Sequence, residues 1–440
     1  MQKTSQRALV RGIRQWDLVA ITINGIIGAG ILGLPAKVYS LIGTYSLIAF
    51  VVCAFIVTLI ILCFAEVSSR FEDTGGPYLY SRIAFGPTVA FEIGWLVWLA
   101  RLTAFGANCN LMVNYLGYFF PNAASPFWRA TIIILVVVTL TLVNLIGVKE
   151  ATFVNNAFTI GKLIPLLMFI GAGLFFISRG AYTFGPAPKM GAFSQSVLLL
   201  IYAFTGFEMA VIPAGEAQNP QKHLPRALLI ALAVVAFVYI LIQVVCVGTL
   251  PELSQSTRPL ADSASHFLGT TGGVIISAGA IVSVTGNLNI LVLAASRVPF
   301  AMAEQRQLPS LICRVHTRFS TPYIAILLTA TMMLFLTLKS SFVAALTISA
   351  IARLATYAAT AIALPVLRKN STAPKARFYL RGGIIIALLT LVLIVWLLSN
   401  STLQEAKIAA IAAAVGLLIH FSYRLIRALH RRHARRPKSA

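Results

Sequence analysis

Runs of about twenty apolar residues, almost free of charge, recur along all 440 residues of this chain. A helical run of that length matches the roughly 30 Å hydrocarbon core of a bilayer, and a helix satisfies its own backbone hydrogen bonds where no water can. Twelve runs are read, over 17–42, 45–69, 88–120, 128–147, 153–177, 193–217, 225–250, 271–303, 321–338, 342–366, 382–398 and 406–423. The third and eighth exceed one straight crossing and are expected to tilt or bend. Composition agrees: 58% of residues are hydrophobic and 11% charged, against about 25% charged in soluble proteins. So much apolar surface cannot hide in one aqueous core, which stops growing near roughly 250–300 residues. A water-soluble enzyme is excluded, and an all-α membrane protein is expected.

Lys and Arg number 35 against 12 Asp and Glu, a balance that in a soluble chain suggests a nucleic-acid partner. Here the basic residues crowd the termini and alternate loops, as in Arg368, Lys369, Lys375, Arg377 and Arg381. That asymmetry is the positive-inside rule, and it puts both termini in the cytoplasm of a plasma membrane of the bacterial inner-membrane kind. The basic tail, 428–440, is read as topology and solvation rather than a nucleic-acid or acidic-lipid patch. The first fifteen residues are polar and basic with no cleavage site, so the first run is expected to remain in the protein. Four of the five cysteines fall inside runs and the six histidines are scattered. Neither a disulfide framework nor a metal site is implied, and no cofactor is expected.

Irregular backbone at membrane depth survives only against protein or a water-filled cavity, so interruptions are the informative places. Run one contains NGIIGAGILGLP, with Gly25, Gly28, Gly30 and Gly33 ahead of Pro35. Run six contains YAFTGFEMAVIPAGE, with Thr205, Gly206 and Glu208 mid-span and Pro213 beyond. These runs open two consecutive sets of five. Matching breaks in two halves point to an inverted-repeat transporter; small-residue helix packing is the alternative for run one. The dinucleotide fingerprint that Gly28, Gly30 and Gly33 also satisfy needs a strand before it and an acid about twenty residues on, and has neither.

Four stretches carry a wider likeness: GIIGAGIL; FAEVSSR with GGPYLYSRIAFGP and GWLVWL; FTGFE continuing to PAGEAQNPQKHLPRAL; and SRVPFAMAEQRQLP. Through them the chain resembles the amino acid-polyamine-organocation superfamily of permeases over most of its length. The resemblance implies two inverted five-helix repeats, 15–178 and 192–367, then two further helices over 378–427, with a cytoplasmic tail over 1–14. It also implies a mid-membrane pocket between broken helices 1 and 6, flanked by helices 3, 8 and 10. The free N–H groups of the half-helix expected to start after Gly30 suit a carboxylate, and free carbonyls near Phe204 and Thr205 suit an ammonium. Ile27, Gly28, Ala29 and Gly30 are therefore assigned to the carboxylate side, and Phe204, Thr205, Gly206 and Phe207 to the ammonium side and gate.

Ionisable residues inside a membrane are functional candidates, because leaving one unpaired is expensive. Arg101, Phe105 and Asn108 share a helical stripe, as do Asn155, Thr159 and Lys162, and Ser349, Arg353, Thr356 and Thr360; such stripes face a bundle interior. In some sodium-independent, proton-coupled members of the superfamily a helix 5 lysine stands where relatives bind sodium, and FTIGKLIP around Lys162 is similar. Lys162 is thus a proton carrier or a permanent structural cation. Glu208 resembles a proton-sensing glutamate of one antiporter in the superfamily; otherwise it partners Arg101 or Arg353. Asn287 faces the pocket or packs between helices. Glu66 reads as an interfacial or gate residue, and Pro220 and Pro225 as shaping a cytoplasmic turn.

The expected function is secondary transport of amino acids, driven by protons without sodium, or in the alternative exchange of an amino acid for an amine. A non-transporting sensor would favour a signalling domain, and a membrane enzyme would need a nucleophile, carboxylate or histidine cluster; neither pattern is evident, nor is a phosphate-binding loop for ATP. Two unit charges about 8 Å apart repel by roughly 2 kcal/mol at an effective dielectric near 20. Interior Arg101 and Arg353 therefore favour neutral or acidic amino acids over lysine, arginine and polyamines. Expected partners are a small amino acid, protons and the lipid bilayer, in a monomer or homodimer.

Overall fold

A computed structural model describes residues 13–72, 75–146, 151–212, 214–319 and 321–434, with side chains left undescribed over 151–160 and 428–434. The N-terminal tail before Ile13, Pro213, and the basic tail beyond Ala434 lie outside the described residues, as do the Asn155 and Thr159 side chains of the expected stripe. The described chain is helical, with one isolated bridge between Ile13 and Ala217.

In chain order the helices are α1 (Gln15–Ile26), α2 (Ala29–Ile42), α3 (Ser46–Ser68), α4 (Gly76–Phe85), α5 (Pro87–Leu116), α6 (Pro126–Ile146), α7 (Ala151–Gly173), α8 (Met190–Phe204), α9 (Glu208–Val211), α10 (Pro220–Thr249), α11 (Pro259–Glu304), α12 (Tyr323–Lys339), α13 (Phe342–Lys369), α14 (Gly383–Ser399) and α15 (Leu403–Ala434). Eight helical stretches are long and apolar enough to cross a membrane by length and composition, and Gly161–Phe176, Tyr323–Lys339 and Gly383–Ser399 are shorter apolar helices. In α3, SLIAFVVCAFIVTLIILCF is apolar on every face, the pattern of a helix meeting protein on one side and lipid on the other. Proline opens α5, α6, α10 and α11, where its missing N–H costs no helical bond.

Run one is two helices, α1 and α2, separated at Ile27 and Gly28, and run six is α8 and α9, separated over Thr205–Phe207. α5 lies at the centre against α13 and α11, with α1 on α10 and α7, and α2 on α8. Three details depart from the expectation. The half-helix after the first break begins at Ala29, not after Gly30. α11 starts at Pro259 and bends at Gly269, whose φ of +66° only glycine adopts readily. Pro225 lies within α10, so only Pro220 marks the turn.

Candidate functional site

The two breaks meet backbone to backbone. A methyl group on Gly25 would lie 2.6 Å from the Gly206 carbonyl oxygen, and one on Gly206 would strike the Gly25 carbonyl. Gly206 also holds φ +110°, so both sterics and conformation demand glycine there. Gly28 faces the Asn287 amide and lies 3.6 Å, at its absent Cβ, from Asn108 Oδ1. Gly30 is turned instead onto α8, its absent Cβ 2.5 Å from Ala203 Cα.

Between the breaks is a cavity of about 20 Å³, lined among others by Gly28, Ala29, Asn108, Tyr202, Thr205 and Arg353. That volume holds about one water, so anything larger enters only if the walls separate. Asn108 organises one wall: its Oδ1 accepts from the Ala29 N–H at 3.3 Å and from Asn287 Nδ2 at 3.2 Å, and its Nδ2 donates to Tyr202 Oη at 2.9 Å. The Ala29 N–H is one of the first-turn donors a helix leaves unpaired, and Asn108 takes it.

At the second break the carbonyls are partly spoken for. Tyr202 O accepts from the Thr205 hydroxyl at 2.7 Å, and Ala203 O from the Tyr239 hydroxyl at 3.2 Å. Glu208 Oε2 accepts from the Gly206 N–H at 3.0 Å and from the Tyr357 hydroxyl at 2.9 Å, while Oε1 is ion-paired with Arg353 Nη1. The expected partner role of Glu208 is thus present, with Arg353 rather than Arg101.

Lys162 is buried on α7 and donates to the carbonyls of Asn24 at 3.4 Å and Ile27 at 3.2 Å. These are the last carbonyls of α1, the negative end of its dipole, where a cation is favoured. Arg101 Nη1 donates to the Ala294 carbonyl of α11 at 2.7 Å.

Of the residues read from the sequence, Gly28, Ala29, Gly30, Asn108, Thr205, Gly206, Asn287 and Arg353 come together around the cavity. Ile27, Phe105, Phe204 and Phe207 do not line it: Ile27 gives its carbonyl to Lys162, Phe105 is fully buried, Phe204 packs on Tyr239, and Phe207 packs on Phe64 and Tyr357. Tyr202, Met209 and Leu291 line it and were not singled out. Tyr202 ends the helical turn before the break and Tyr357 lies four residues past Arg353, so both were detectable from helical spacing.

The ends of the bundle differ. At the α1 start, Ile13 N–H donates to Glu216 O at 3.1 Å and Gln218 N–H to Ile13 O at 2.9 Å. Nearby helix ends are tied by Glu66, which pairs with Arg368 at 2.6 Å and Arg70 at 3.3 Å. Where α2 and α5 finish, a cavity of about 670 Å³ is lined by Gly33, Lys37, Asn110, Arg129 and Phe342 among others. Gly33 is one turn of α2 beyond Gly30.

Residues 13–419 match the model of a family described as amino acid permease. The methylthioribose transporter of Bacillus subtilis (strain 168) is 27% identical over 96% of this chain and 95% of its own. The serine/threonine exchanger of the same organism is 31% identical over 73% of this chain and 75% of its own. Its branched-chain amino acid permease is 26% identical over 96% and 94%.

Proposed function

Because the chain belongs to the amino acid permease family, a family of multi-pass membrane transporters rather than enzymes, we propose that it is a secondary amino-acid transporter working by alternating access. In this reading twelve crossings form two inverted sets of five, 15–178 and 192–367, with two added helices, and both termini are cytoplasmic. The substrate's α-carboxylate meets the α2 first turn beside Gly28, and its ammonium meets the carbonyls around Thr205. The observation that carries the reading is the backbone contact of the two breaks at Gly25 and Gly206, beside a cavity to which both contribute. Two opposed helix ends offer donors and acceptors to the two groups an α-amino acid carries on one carbon.

The sealed end at Ile13 and Ala217 and the roomy end at Gly33 fit an outward-facing form, with Glu66, Arg70 and Arg368 as the cytoplasmic gate. Lys162 supports transport without sodium, since its ammonium already occupies the carbonyls at the first break. Proton coupling through Lys162 is preferred to coupling through Glu208, whose two oxygens are held by Arg353, Tyr357 and Gly206. With Arg353 paired to Glu208, Arg101 is the interior charge that disfavours a second positive charge on the substrate, so neutral or acidic amino acids are expected over lysine and polyamines.

A panel of radiolabelled amino acids on proteoliposomes, without sodium and with or without an inward proton gradient, tests this. Gradient-stimulated accumulation of one substrate class is the expected result. Failure of every amino acid would overturn it, and uptake only against internal substrate would favour exchange, the alternative to which the related serine/threonine exchanger gives weight.

A further inference from the structure

Arg101 is 3% exposed. Its Nη1 is held by the Ala294 carbonyl, while Nε and Nη2 are enclosed with no acceptor among the described residues. The other fully buried Lys and Arg side chains are met. Lys162 has two carbonyls, Arg353 has Glu208, and Arg70 has Glu66 together with the carbonyls of Leu367 and Pro374. Among the described residues Glu66 is committed to Arg70 and Arg368, and Glu208 to Arg353, Tyr357 and Gly206; the Glu92 carboxylate is enclosed without a partner, but on α5 it precedes Arg101 by roughly 14 Å. The charge of Glu208 reaches Arg101 through space, but no described carboxylate bonds it. Its two idle donors form one edge of the guanidinium, the edge that takes both oxygens of a carboxylate at once.

The surroundings say where that carboxylate comes from. α5 places Ala104 and Asn108 in the cavity wall, one and two turns beyond Arg101, and α11 places Leu291 there, one turn from Ala294. At 1.5 Å per residue, Arg101 lies about 10 Å along α5 from Asn108, in the next layer of the bundle. Arg353 bridges the two layers: it lines the cavity, and its Nε reaches Ser349, whose hydroxyl donates to the carbonyl of Ala100 at 2.8 Å, next to Arg101. A substrate held by its α-groups at the breaks would send its side chain along Arg353 toward this edge.

We infer that Arg101 receives a carboxylate on the substrate side chain, and that the preferred substrates are acidic amino acids of the aspartate and glutamate type. The inference rests on the amino-acid reading above and narrows it. Family membership leaves this open, since the relatives' names run from methylthioribose through serine, threonine and branched-chain amino acids to arginine and agmatine.

The test is equilibrium binding to the purified full chain of glutamate, aspartate, glutamine, asparagine and leucine, for the wild type, Arg101→Met and Arg101→Lys. In the wild type, glutamate or aspartate should bind at least about tenfold more tightly than its amide, the contribution of a charged two-point pair. Arg101→Met should remove that preference and leave amide binding within about twofold. It should also unfold no earlier than the wild type, because an apolar chain replaces a buried charge that no carboxylate bonds. Arg101→Lys keeps charge without the fork and should fall between; should the Met variant fail to fold, the wild-type preference and the Lys variant decide. Equal or tighter binding of the amides or leucine by the wild type overturns the inference and leaves amino-acid transport standing. Equal weakening of glutamate and glutamine in Arg101→Met also overturns it, since Arg101 would then serve the α-carboxylate. No binding of any amino acid overturns both readings.

Discussion

Replacing Lys162 by methionine separates a transport role from a structural one. The ammonium sits at the C-terminal end of α1, hydrogen-bonded to Asn24 O at 3.4 Å and Ile27 O at 3.2 Å. A cation there gains up to about 2 kcal/mol from the helix dipole, and hydrogen bonds to a charged group contribute roughly 1.5–3 kcal/mol each. Opposing these is the desolvation of a side chain that is 3% exposed, a penalty of several kcal/mol. The terms nearly cancel, and methionine fills most of the same space. Lys162→Met should therefore shift unfolding by no more than about 2 kcal/mol and still fold. Its transport should change far more. With no ammonium to gain and lose a proton between α1 and α7, accumulation against a gradient should vanish. Exchange of labelled for unlabelled substrate at equal concentrations should persist. Both are measured in the same proteoliposomes, without sodium, across a series of pH values. A methionine variant that still concentrates substrate with the wild-type pH dependence would refute the reasoning, making Lys162 a structural cation and Glu208 the leading coupling residue.

Glu208→Gln leaves Arg353 buried without its counter-charge and should cost about 3–5 kcal/mol, seen as a lower unfolding temperature in detergent; adding Arg353→Met should recover most of that loss. Gly28→Ala puts a methyl against the Asn287 amide, so substrate affinity should fall at least about tenfold with the fold retained, as read by binding and thermal unfolding. Gly206→Ala, by contrast, strikes the Gly25 carbonyl from a φ of +110° and should abolish folded protein, read by size-exclusion chromatography. Glu66→Gln loosens Arg70 and Arg368 together, so a thiol introduced by Ala217→Cys should react faster with a membrane-impermeant reagent in that background than with Glu66 intact.

The breaks were legible because glycine-rich interruptions in otherwise apolar runs have few physical explanations at membrane depth. Asn108, Arg353 and Lys162 were legible because an isolated polar side chain on an apolar helix must face protein. Direction was lost where regular geometry stops: past Gly206 the chain leaves the 3.6-residue period, so spacing could not say that Phe207 turns to Phe64 and Tyr357 and not to the cavity. Phe204 missed for a related reason: it is near the break in sequence but is claimed by Tyr239 of α10. Helix α4 was missed because its ten residues fall between spans; a bend was expected in run eight, 271–303, and falls instead at Gly269, just ahead of it, where the polar PLADSASHFL segment had not been read as helix. The choice between Arg101 and Arg353 as the partner of Glu208 depends on how α5 and α13 are rotated against each other, which no single-helix pattern contains.

The central claim is that the two helix breaks together hold the α-carboxylate and the α-ammonium of one amino acid. Its most direct test is competition for uptake between the best amino acid of the radiolabelled panel and its two derivatives, one lacking only the α-amino group and one lacking only the α-carboxyl group. Each derivative should compete at least about tenfold more weakly than the parent, because each leaves one break without its partner. A derivative that competes as well as the parent would show that one of the two breaks does not bind the substrate.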